Sequence, residues 1–248
     1  MRIIDLSLPI NRHMMGIPGR AEYAKNPTRC VVISSLSDTQ LASLEQRNIE
    51  ISSDIAVSHH MMSRLEIVTH IGTHIDAPCH FIDGAWSIDE VPLEFTVNKG
   101  IVIPLTHKQP KSPVTADDIL ATSVDFDSSV IPILHTGWTD RAWGTDRFWN
   151  EMIYLDTSAA ALLVDRGVSA VALDFFPEAP FWLGIEADAA PGRNHRTLLS
   201  NKTIIIQMLS NISAIDVDDF TLAAVPLRLE GLDGSPARVF AISNGPTR

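Results

Sequence analysis

Cysteine is scarce in this sequence, and the two cysteines it has, Cys30 and Cys79, form no C-x-x-C pair. Two cysteines provide neither the disulfide framework of a small secreted protein nor a zinc finger. A chain of 248 residues needs neither, because a compact fold of this length buries roughly 70–75% of its unfolded surface. The sequence therefore predicts a fold held together by its apolar core.

Positive charge is also in short supply. Lys and Arg number 19 against 30 Asp and Glu, so the formal net charge is −11. Nucleic acids and anionic membrane surfaces favour proteins with a basic face, so the composition argues against both kinds of partner. An apolar content of 45% with 20% charged residues is that of a globular protein and excludes a disordered chain.

Long apolar runs are absent as well. No stretch approaches the roughly 18 uninterrupted apolar residues that indicate a transmembrane helix. The opening residues Met1–Asn11 include Asp5 and Pro9 and lack the apolar core and cleavage site of a signal peptide. We therefore expect a soluble cytoplasmic protein without a membrane partner.

Short β-type segments dominate the chain. Each is rich in Val, Ile or Leu and is bounded by Gly, Pro, Asp or Asn, as expected of strands. The predicted strands are Arg2–Leu6, Arg64–Thr69, Ile101–Leu105, Val130–Leu134, Val168–Leu173, Thr203–Leu209 and Arg238–Ile242.

Predicted helices are fewer than strands. Thr115 is expected to cap one helix, and Thr157 is expected to cap another that ends at Gly167. Tyr154-Leu155, this second helix and the strand after it have the order of a βαβ unit. No repeat or linker interrupts the chain. We therefore expect residues 1–248 to form a single mixed α/β domain, strand-rich and with few helices.

One short segment concentrates the residues that carry chemistry. It holds three of the nine histidines and one aspartate within eleven residues: His70-Ile-Gly-Thr-His74-Ile-Asp76-Ala-Pro-Cys-His80. These titratable residues all stand at even positions, so they share one face of an extended chain. A helix would turn Asp76 away from His70 and His74. Gly72 and Pro78 also disfavour a helix.

A straight strand does not suffice either. His70 and Asp76 would then lie roughly 20 Å apart, too far to share one ion through bonds of about 2.0–2.2 Å. We therefore expect bends at Gly72 and Pro78 that let two imidazoles and one carboxylate meet on a divalent ion. Three protein ligands leave open positions, which favours catalysis over a structural site. His80, just beyond the ligands, is predicted to transfer protons.

The pattern His-x-Gly-Thr-His-x-Asp-x-Pro-x-His-Phe, at residues 70–81, resembles the signature of the cyclase family of metal-dependent hydrolases. That family includes bacterial kynurenine formamidases and isatin hydrolases. The likeness extends over most of the chain and includes Ile4–Ser7, Gly84–Leu93, Thr136–Trp138, His195–Leu199 and Thr203–Gln207. The resemblance implies the family's mixed α/β fold.

The resemblance also implies roles for the clustered residues. His70, His74 and Asp76 match the ligands of the first metal, and His80 matches the catalytic acid and base. These are the roles that the bent segment itself predicts. A small-molecule substrate and a homodimer are the expected partners.

A second metal site depends on two residues near the C-terminus. His195 matches a residue that helps to bind a second zinc ion in the formamidases, which place a bridging glutamate twelve residues later. This sequence has Gln207 there. A neutral amide is a poor bridge, so the resemblance implies one ion, with Gln207 as a possible ligand, as in the mononuclear manganese centre of isatin hydrolases. We expect Mn²⁺, with Zn²⁺ as the alternative.

A second departure concerns the substrate. Formamidases of this family carry a Trp-Pro-Gly-Asp-like element near the N-terminus, whose Trp packs on the aryl substrate. The corresponding stretch here, Met14–Arg20, has no Trp. The resemblance therefore implies an isatin hydrolase-like enzyme that opens the C–N bond of a small cyclic aryl amide. The alternatives are N-formylkynurenine deformylation or lactone opening at the same site, or a non-catalytic metal-binding protein.

Other residues are candidates for the substrate pocket. His59 and Trp86 are assigned to it, together with His195 if the latter binds no second metal. The loop Asp174–Pro177 follows a predicted strand and is a candidate for the pocket or for a turn. Three tryptophans are predicted to form an aromatic wall, the core or a subunit contact: Trp138, Trp143 and Trp149.

Overall fold

Strands dominate the structure, a computed structural model that describes residues 1–11, 14–20, 28–33, 37–47, 50–51, 62–180, 184 and 192–243. The strands are β1 (Arg2–Asp5), β2 (Thr28–Ile33), β3 (Glu50–Ile51), β4 (Met62–Ile67), β5 (His74–Asp76), β6 (Val97–Pro104), β7 (Pro113–Val114), β8 (Ile131–His135), β9 (Tyr154–Leu155), β10 (Ala170–Leu173), β11 (Ile204–Gln207), β12 (Thr221–Pro226) and β13 (Gly234–Ser243). The helices are α1 (Asp38–Gln46), α2 (Leu93–Thr96), α3 (Ala116–Ala121), α4 (Trp138–Ala142), α5 (Arg147–Asn150), α6 (Thr157–Asp165) and α7 (Arg193–Ser200).

Eight of these strands form one sheet that closes on itself. Their order is β1-β13-β12-β6-β8-β10-β11-β5. The sheet closes because β13 has different neighbours along its length: Pro236 pairs with β5, whereas Ala237 and the residues after it pair with β12. This barrel-like arrangement confirms the predicted strand-rich, mixed α/β class.

The centre of the sheet is parallel and buried on both faces. Strands β6, β8, β10 and β11 run parallel, and every residue of β8, β10 and β11 is buried. Strands covered on both sides are continuous apolar runs in sequence, which is why this region was predictable. Leu134 and Leu173 contribute to one core with Trp138, while Ile133 and Ala172 contribute to the core on the other face.

The two predicted helix starts have different outcomes. Thr115 caps α3 as expected: its hydroxyl accepts from the backbone N–H of Asp118, whose carboxylate accepts from the backbone N–H of Thr115. The assignment of Thr157 as a cap is wrong by one residue. Asp156 precedes α6 and accepts from the backbone N–H of Ser158 at 2.8 Å, because a carboxylate caps at least as well as a hydroxyl.

The predicted βαβ unit is also wrong. Strand β9 pairs with β7 in a separate two-stranded sheet, whereas β10 lies in the large sheet. Because β8 and β11 already flank β10, β9 meets this part of the chain only beyond the end of β10, where Tyr154 forms an isolated parallel bridge with Phe176.

Four strands outside the His70–His80 segment have no counterpart in the prediction: β2, β3, β7 and β12. The last, Thr221–Pro226, has two alanines and ends in proline, residue types that are rare in strands. Pairing with β13 and β6 on its two sides overrides that weak local preference. No helix in the described part of the chain is long and apolar enough to cross a membrane.

Candidate metal centre

The His70–His80 segment bends at the two predicted positions. Gly72 has a φ of +58°, in the left-handed region that glycine adopts without strain. Strand β5 follows, and Pro78 then begins a 3₁₀ turn, Pro78–His80. The two bends bring the ends of the segment together, so that the ring centroids of His70 and His80 lie 3.8 Å apart.

Asp76 lies at the centre of the cluster and is completely buried. Its Oδ1 is 2.8 Å from His70 Nδ1 and 3.2 Å from His74 Nε2. Its Oδ2 is 2.5 Å from Gln207 Nε2 and 3.3 Å from His195 Nε2. The structure therefore brings all the predicted ligands, and the residue predicted for a second site, around one carboxylate.

Hydrogen bonds at the outer nitrogens fix the tautomers of the first two histidines. His74 Nδ1 lies 2.7 Å from the carbonyl oxygen of Gly72, which can only accept, so this nitrogen carries the proton. His70 Nε2 lies 2.9 Å from the carboxylate of Asp233 and donates to it in the same way. His70 Nδ1 also faces a carboxylate, 2.8 Å from Asp76 Oδ1, so without an ion both nitrogens of this ring donate. A metal at Nδ1 would replace that proton and leave the neutral tautomer whose Nε2–H is held by Asp233.

His195 and Gln207 approach Asp76 from its other side. His195, in the first turn of α7, has Nδ1 2.7 Å from Glu178 Oε1, which also accepts from the backbone N–H of His195 at 2.8 Å. Gln207 ends β11 and donates through Nε2 to Asp76, while its Oε1 is buried without a hydrogen-bond partner. A buried amide oxygen without a partner is unfavourable, and a cation beside it would satisfy it.

These donors fit a divalent ion. Imidazole nitrogens with carboxylate and amide oxygens, and no thiolate, suit zinc or manganese. Among the described residues, two groups have ligand atoms that all lie within 4.8 Å of one another. One group is His70, His74 and Asp76, the predicted ligand set; the other is His70, His80 and Asp233. That these residues bind an ion stays a prediction.

The electrostatics of the cluster favour a cation. Burial lowers the pKa of His70, but Asp76 and Asp233 outweigh burial and raise that pKa to about 10. Burial likewise lowers the pKa of His195, while Asp76 and Glu178 raise it to about 9. Burial raises the pKa of Asp76, yet its histidine neighbours hold that pKa well below the usual value. Protons and a metal ion would therefore compete for the same negative site.

A cavity of about 240 Å³ opens onto the cluster. Arg20 and Met15–Ile17, from the stretch matched to the formamidase element, contribute to its lining. Its aromatic side chains are Phe81, Trp143, Trp149 and Phe176. Trp138 lies elsewhere: it is fully buried in the core and donates through Nε1 to the carbonyl oxygen of Phe148.

One of the residues assigned to the pocket is not brought to it. Trp86 lies outside the cavity lining. Its ring packs against Phe95 at a centroid distance of 5.8 Å, and the Nζ of Lys202 lies 4.4 Å above it. His59 lies outside the described residues.

The loop after β10 was predicted to belong either to the pocket or to a turn, and its residues do both. Phe176 lines the cavity, but Asp174 is buried and stabilises a turn. Its carboxylate accepts from the backbone N–H of Thr136 at 3.0 Å and of Gly137 at 2.6 Å. Burial raises the pKa of Asp174 to about 7.

Sequence reasoning missed Asp233 and Glu178. The predicted final strand begins at Arg238, whereas β13 begins at Gly234, so Asp233 fell in an unassigned loop. The Asp-Gly pair was the available signal. A Cβ at Gly234 would lie 2.6 Å from His70 Cε1, so glycine is needed for this close approach.

Comparisons with known protein sequences point to one family. A family model described as "Putative cyclase" matches residues 4–177. Cyclase-like protein 3 of Oryza sativa subsp. japonica is 27% identical over 192 residues, which cover 73% of this chain and 65% of the rice protein. Kynurenine formamidase of Geobacillus thermodenitrificans (strain NG80-2) is 28% identical over 178 residues, covering 71% of this chain and 78% of that enzyme. This chain thus spans 65% of the length of the rice relative.

Solved structures share the fold. A potential metal-dependent hydrolase with cyclase activity has a TM-score of 0.70 and 26% identity, with 99% of each chain covered. Isatin hydrolase A from Labrenzia aggregata, bound to benzyl benzoate, has a TM-score of 0.78 and 20% identity, covering 98% of this chain and 94% of that one. At 20% identity, this second likeness shows the fold alone.

Proposed function

This chain belongs to the cyclase family, and from that premise we propose that it is a metal-dependent hydrolase that opens the C–N bond of a small aryl amide. A cyclic amide of the isatin type is the proposed substrate class. The observation that carries the proposal is the convergence of His70 Nδ1, His74 Nε2 and the Asp76 carboxylate beside an aromatic cavity.

The proposed cofactor is one divalent ion, Mn²⁺ or alternatively Zn²⁺. His70, His74 and Asp76 would hold it, with the unpartnered Oε1 of Gln207 as a further ligand. When bound, such an ion supplies the Lewis acidity that polarises an amide carbonyl and acidifies water.

His80 is proposed to transfer the proton. Its Nδ1 donates to Asp233 Oδ2 across 3.2 Å, which leaves Nε2 unprotonated on a ring that lines the cavity. Nε2 takes a proton from water as the water oxygen bonds to the carbonyl carbon. The same proton then passes to the amide nitrogen as the C–N bond breaks. With a cyclic amide the ring opens, and the single product carries both an aryl amine and a carboxylic acid, which loses its proton to solvent near neutral pH.

The cavity suits a small, flat substrate. Its volume of about 240 Å³ lies just below the range of about 300–1,000 Å³ for drug-sized ligands. The rings of Trp143, Trp149 and Phe176 line it, and ring contacts with an aryl substrate contribute about 0.5–1.5 kcal/mol each beyond burial. An aryl amide therefore fits better than a long aliphatic one.

N-formylkynurenine hydrolysis is the second candidate. The kynurenine formamidase of G. thermodenitrificans, 28% identical, supports it. Gln207 and the Trp-free stretch Met14–Arg20 support the cyclic amide instead. Lactone opening by the same residues is a third candidate.

The test combines metal analysis with a substrate screen. Protein purified without added metal is analysed for bound ions and assayed with isatin, N-formylkynurenine and a simple aryl lactone, before and after chelation and metal return. We expect isatin turnover that chelation abolishes and Mn²⁺ restores. A higher kcat/KM for N-formylkynurenine would make the protein a formamidase, and a bound metal without any hydrolysis would make it a metal-binding protein.

The proposal also includes the organisation of the molecule. We propose that residues 1–248 act as one domain, in a cytoplasmic homodimer. Light scattering at the exit of a size-exclusion column measures the mass of the particle and so tests the dimer directly.

A further inference from the structure

Asp233 connects the two functional halves of the site, although it lies far from them in sequence. Its Oδ2 is 2.9 Å from Nε2 of His70 and 3.2 Å from Nδ1 of His80. We infer that Asp233 is a positioning residue that fixes the tautomer and ring orientation of both histidines. This inference rests on the proposed function, in which His70 binds the metal and His80 transfers the proton.

The effect on His70 follows from the single N–H of a neutral imidazole. In the neutral ring that a metal requires, Asp233 holds the N–H on Nε2 and so leaves the lone pair on Nδ1, the nitrogen that lies 2.8 Å from Asp76 Oδ1. Without Asp233, the proton is free to move to Nδ1 and bind Asp76, which removes the nitrogen lone pair that a metal needs. A carboxylate behind a ligating histidine typically contributes about 10–100-fold in metal affinity or activity.

The effect on His80 is the same in kind. Asp233 accepts from Nδ1, so the basic nitrogen of His80 is Nε2, which makes no hydrogen bond to any described residue. One oxygen therefore holds both rings, which stack at 3.8 Å with an interplanar angle of 25°. The proton-transferring ring is thereby kept beside the ligating ring.

Asp233 is itself firmly held. Its Oδ1 accepts from the hydroxyl of Thr69 at 3.0 Å, and its backbone carbonyl accepts from the N–H of Ala77 at 2.9 Å. The next residue, Gly234, pairs with β5 and allows the chain to approach His70 closely. Because Asp233 is held through both its side chain and its backbone, its carboxylate can position two histidines without rearranging.

The test uses two variants at this position and a matched control. Asp233→Ala removes the acceptor, whereas Asp233→Asn keeps an acceptor oxygen of the same reach without the charge. Asp89→Asn is the control, because Asp89 anchors the same loop by accepting from the N–H of Gly231 at 2.9 Å but bonds to neither histidine. Each protein is measured for its Mn²⁺ dissociation constant by competition with a chromophoric chelator, for its Co²⁺ absorption spectrum and for kcat at saturating metal.

We expect Asp233→Ala to raise the dissociation constant about 10–100-fold and to lower kcat by a similar factor. The Co²⁺ spectrum should change, Asp233→Asn should fall between Asp233→Ala and the parent, and the control should match the parent within about twofold. In the double variant with His80→Ala, Asp233→Ala should still weaken metal binding but should reduce kcat no further. Only a positioning residue that acts through both histidines gives this pattern.

The inference is overturned if both Asp233 variants keep the parent's dissociation constant, Co²⁺ spectrum and kcat. It is also overturned if the parent binds a second ion that Asp233→Ala loses, because Asp233 would then be a ligand. Thermal unfolding shows whether Asp233→Ala is folded, and if it is not, Asp233→Asn alone decides. A parent protein without bound metal or hydrolysis contradicts the proposed function instead, so the two failures are distinguishable.

Discussion

Replacing Gln207 with glutamate tests the proposal that charge balance limits the site to one ion. Gln207 is 1% exposed and Asp76 is fully buried, so neither side chain is screened by water. In the native protein a neutral amide nitrogen lies 2.5 Å from Asp76 Oδ2 and 3.4 Å from His195 Nε2. In Gln207→Glu a second carboxylate takes this place.

The size of the effect follows from that distance. Two unit negative charges 2.5 Å apart repel by about 7 kcal/mol at an effective dielectric constant near 20. The metal-free variant should therefore be less stable than the parent or should take up a proton. A second dication would relieve the repulsion, with His195 as an additional ligand. At a metal concentration of 100 times the dissociation constant, binding would add about 2.7 kcal/mol, or about 5–11 °C in Tm for a chain of this size.

The assay compares the variant with the parent and with Gln109→Glu. Gln109 is exposed and bonds to the carbonyl of His107, so this control adds the same charge away from the cavity. After identical loading with Zn²⁺ and desalting, elemental analysis should find one ion per chain in the parent and control and nearly two in Gln207→Glu. The extra rise in Tm with Zn²⁺ should occur only in Gln207→Glu. Two tightly bound ions in the parent would refute the one-ion assignment and favour the formamidase alternative.

Three further predictions concern metal dependence, proton transfer and stability. Chelation and His74→Ala should each abolish hydrolysis, and Zn²⁺ or Mn²⁺ should restore only the chelated protein; full activity without metal would contradict this. His80→Ala should lower kcat at least about a hundredfold with unchanged metal content, and loss of metal would make His80 a ligand instead. Asp118→Ala should lower the free energy of unfolding in urea by about 1 kcal/mol at pH 7. Burial raises the pKa of Asp118, but the hydrogen bonds from Lys108 and Thr115 outweigh burial and hold that pKa below 3.8. The stabilisation is therefore present above pH 3.8 and is lost as the pH falls through the pKa of Asp118 in the folded state. A difference that stays constant from pH 7 to below 3.8 would show that the ionised carboxylate is not responsible.

The bend of the motif was predictable because its causes are local. His70, His74 and Asp76 share one face of an extended chain, and Gly72 and Pro78 mark the positions where such a chain turns. These signals lie within eleven residues of sequence. The buried strands β8, β10 and β11 were predictable for a similar reason, since each is a continuous apolar run.

The remaining parts depend on contacts between distant segments. Asp233 is 163 residues from His70, and the Asp-Gly pair indicates a turn or a close backbone approach without showing which residue lies there. Glu178 is only 17 residues from His195, but the contact requires a loop to pack on the start of α7. The βαβ unit failed likewise, because the order of elements along the chain does not reveal which sheet edges are already occupied.

Closure of the sheet and assembly of the site depend on the same strand. Strand β5 lies between β11 and β13, so Asp76 pairs with Ile205 on one side and with Gly234 on the other. Gln207 therefore reaches Asp76 from β11, and Asp233 approaches from the start of β13. Because successive side chains of a strand point to opposite faces, a slip of one residue on either side would withdraw one of these partners. Strand β5, which carries two of the predicted ligands, His74 and Asp76, is thus also the strand that closes the barrel. An ion bound there would stabilise the closed sheet.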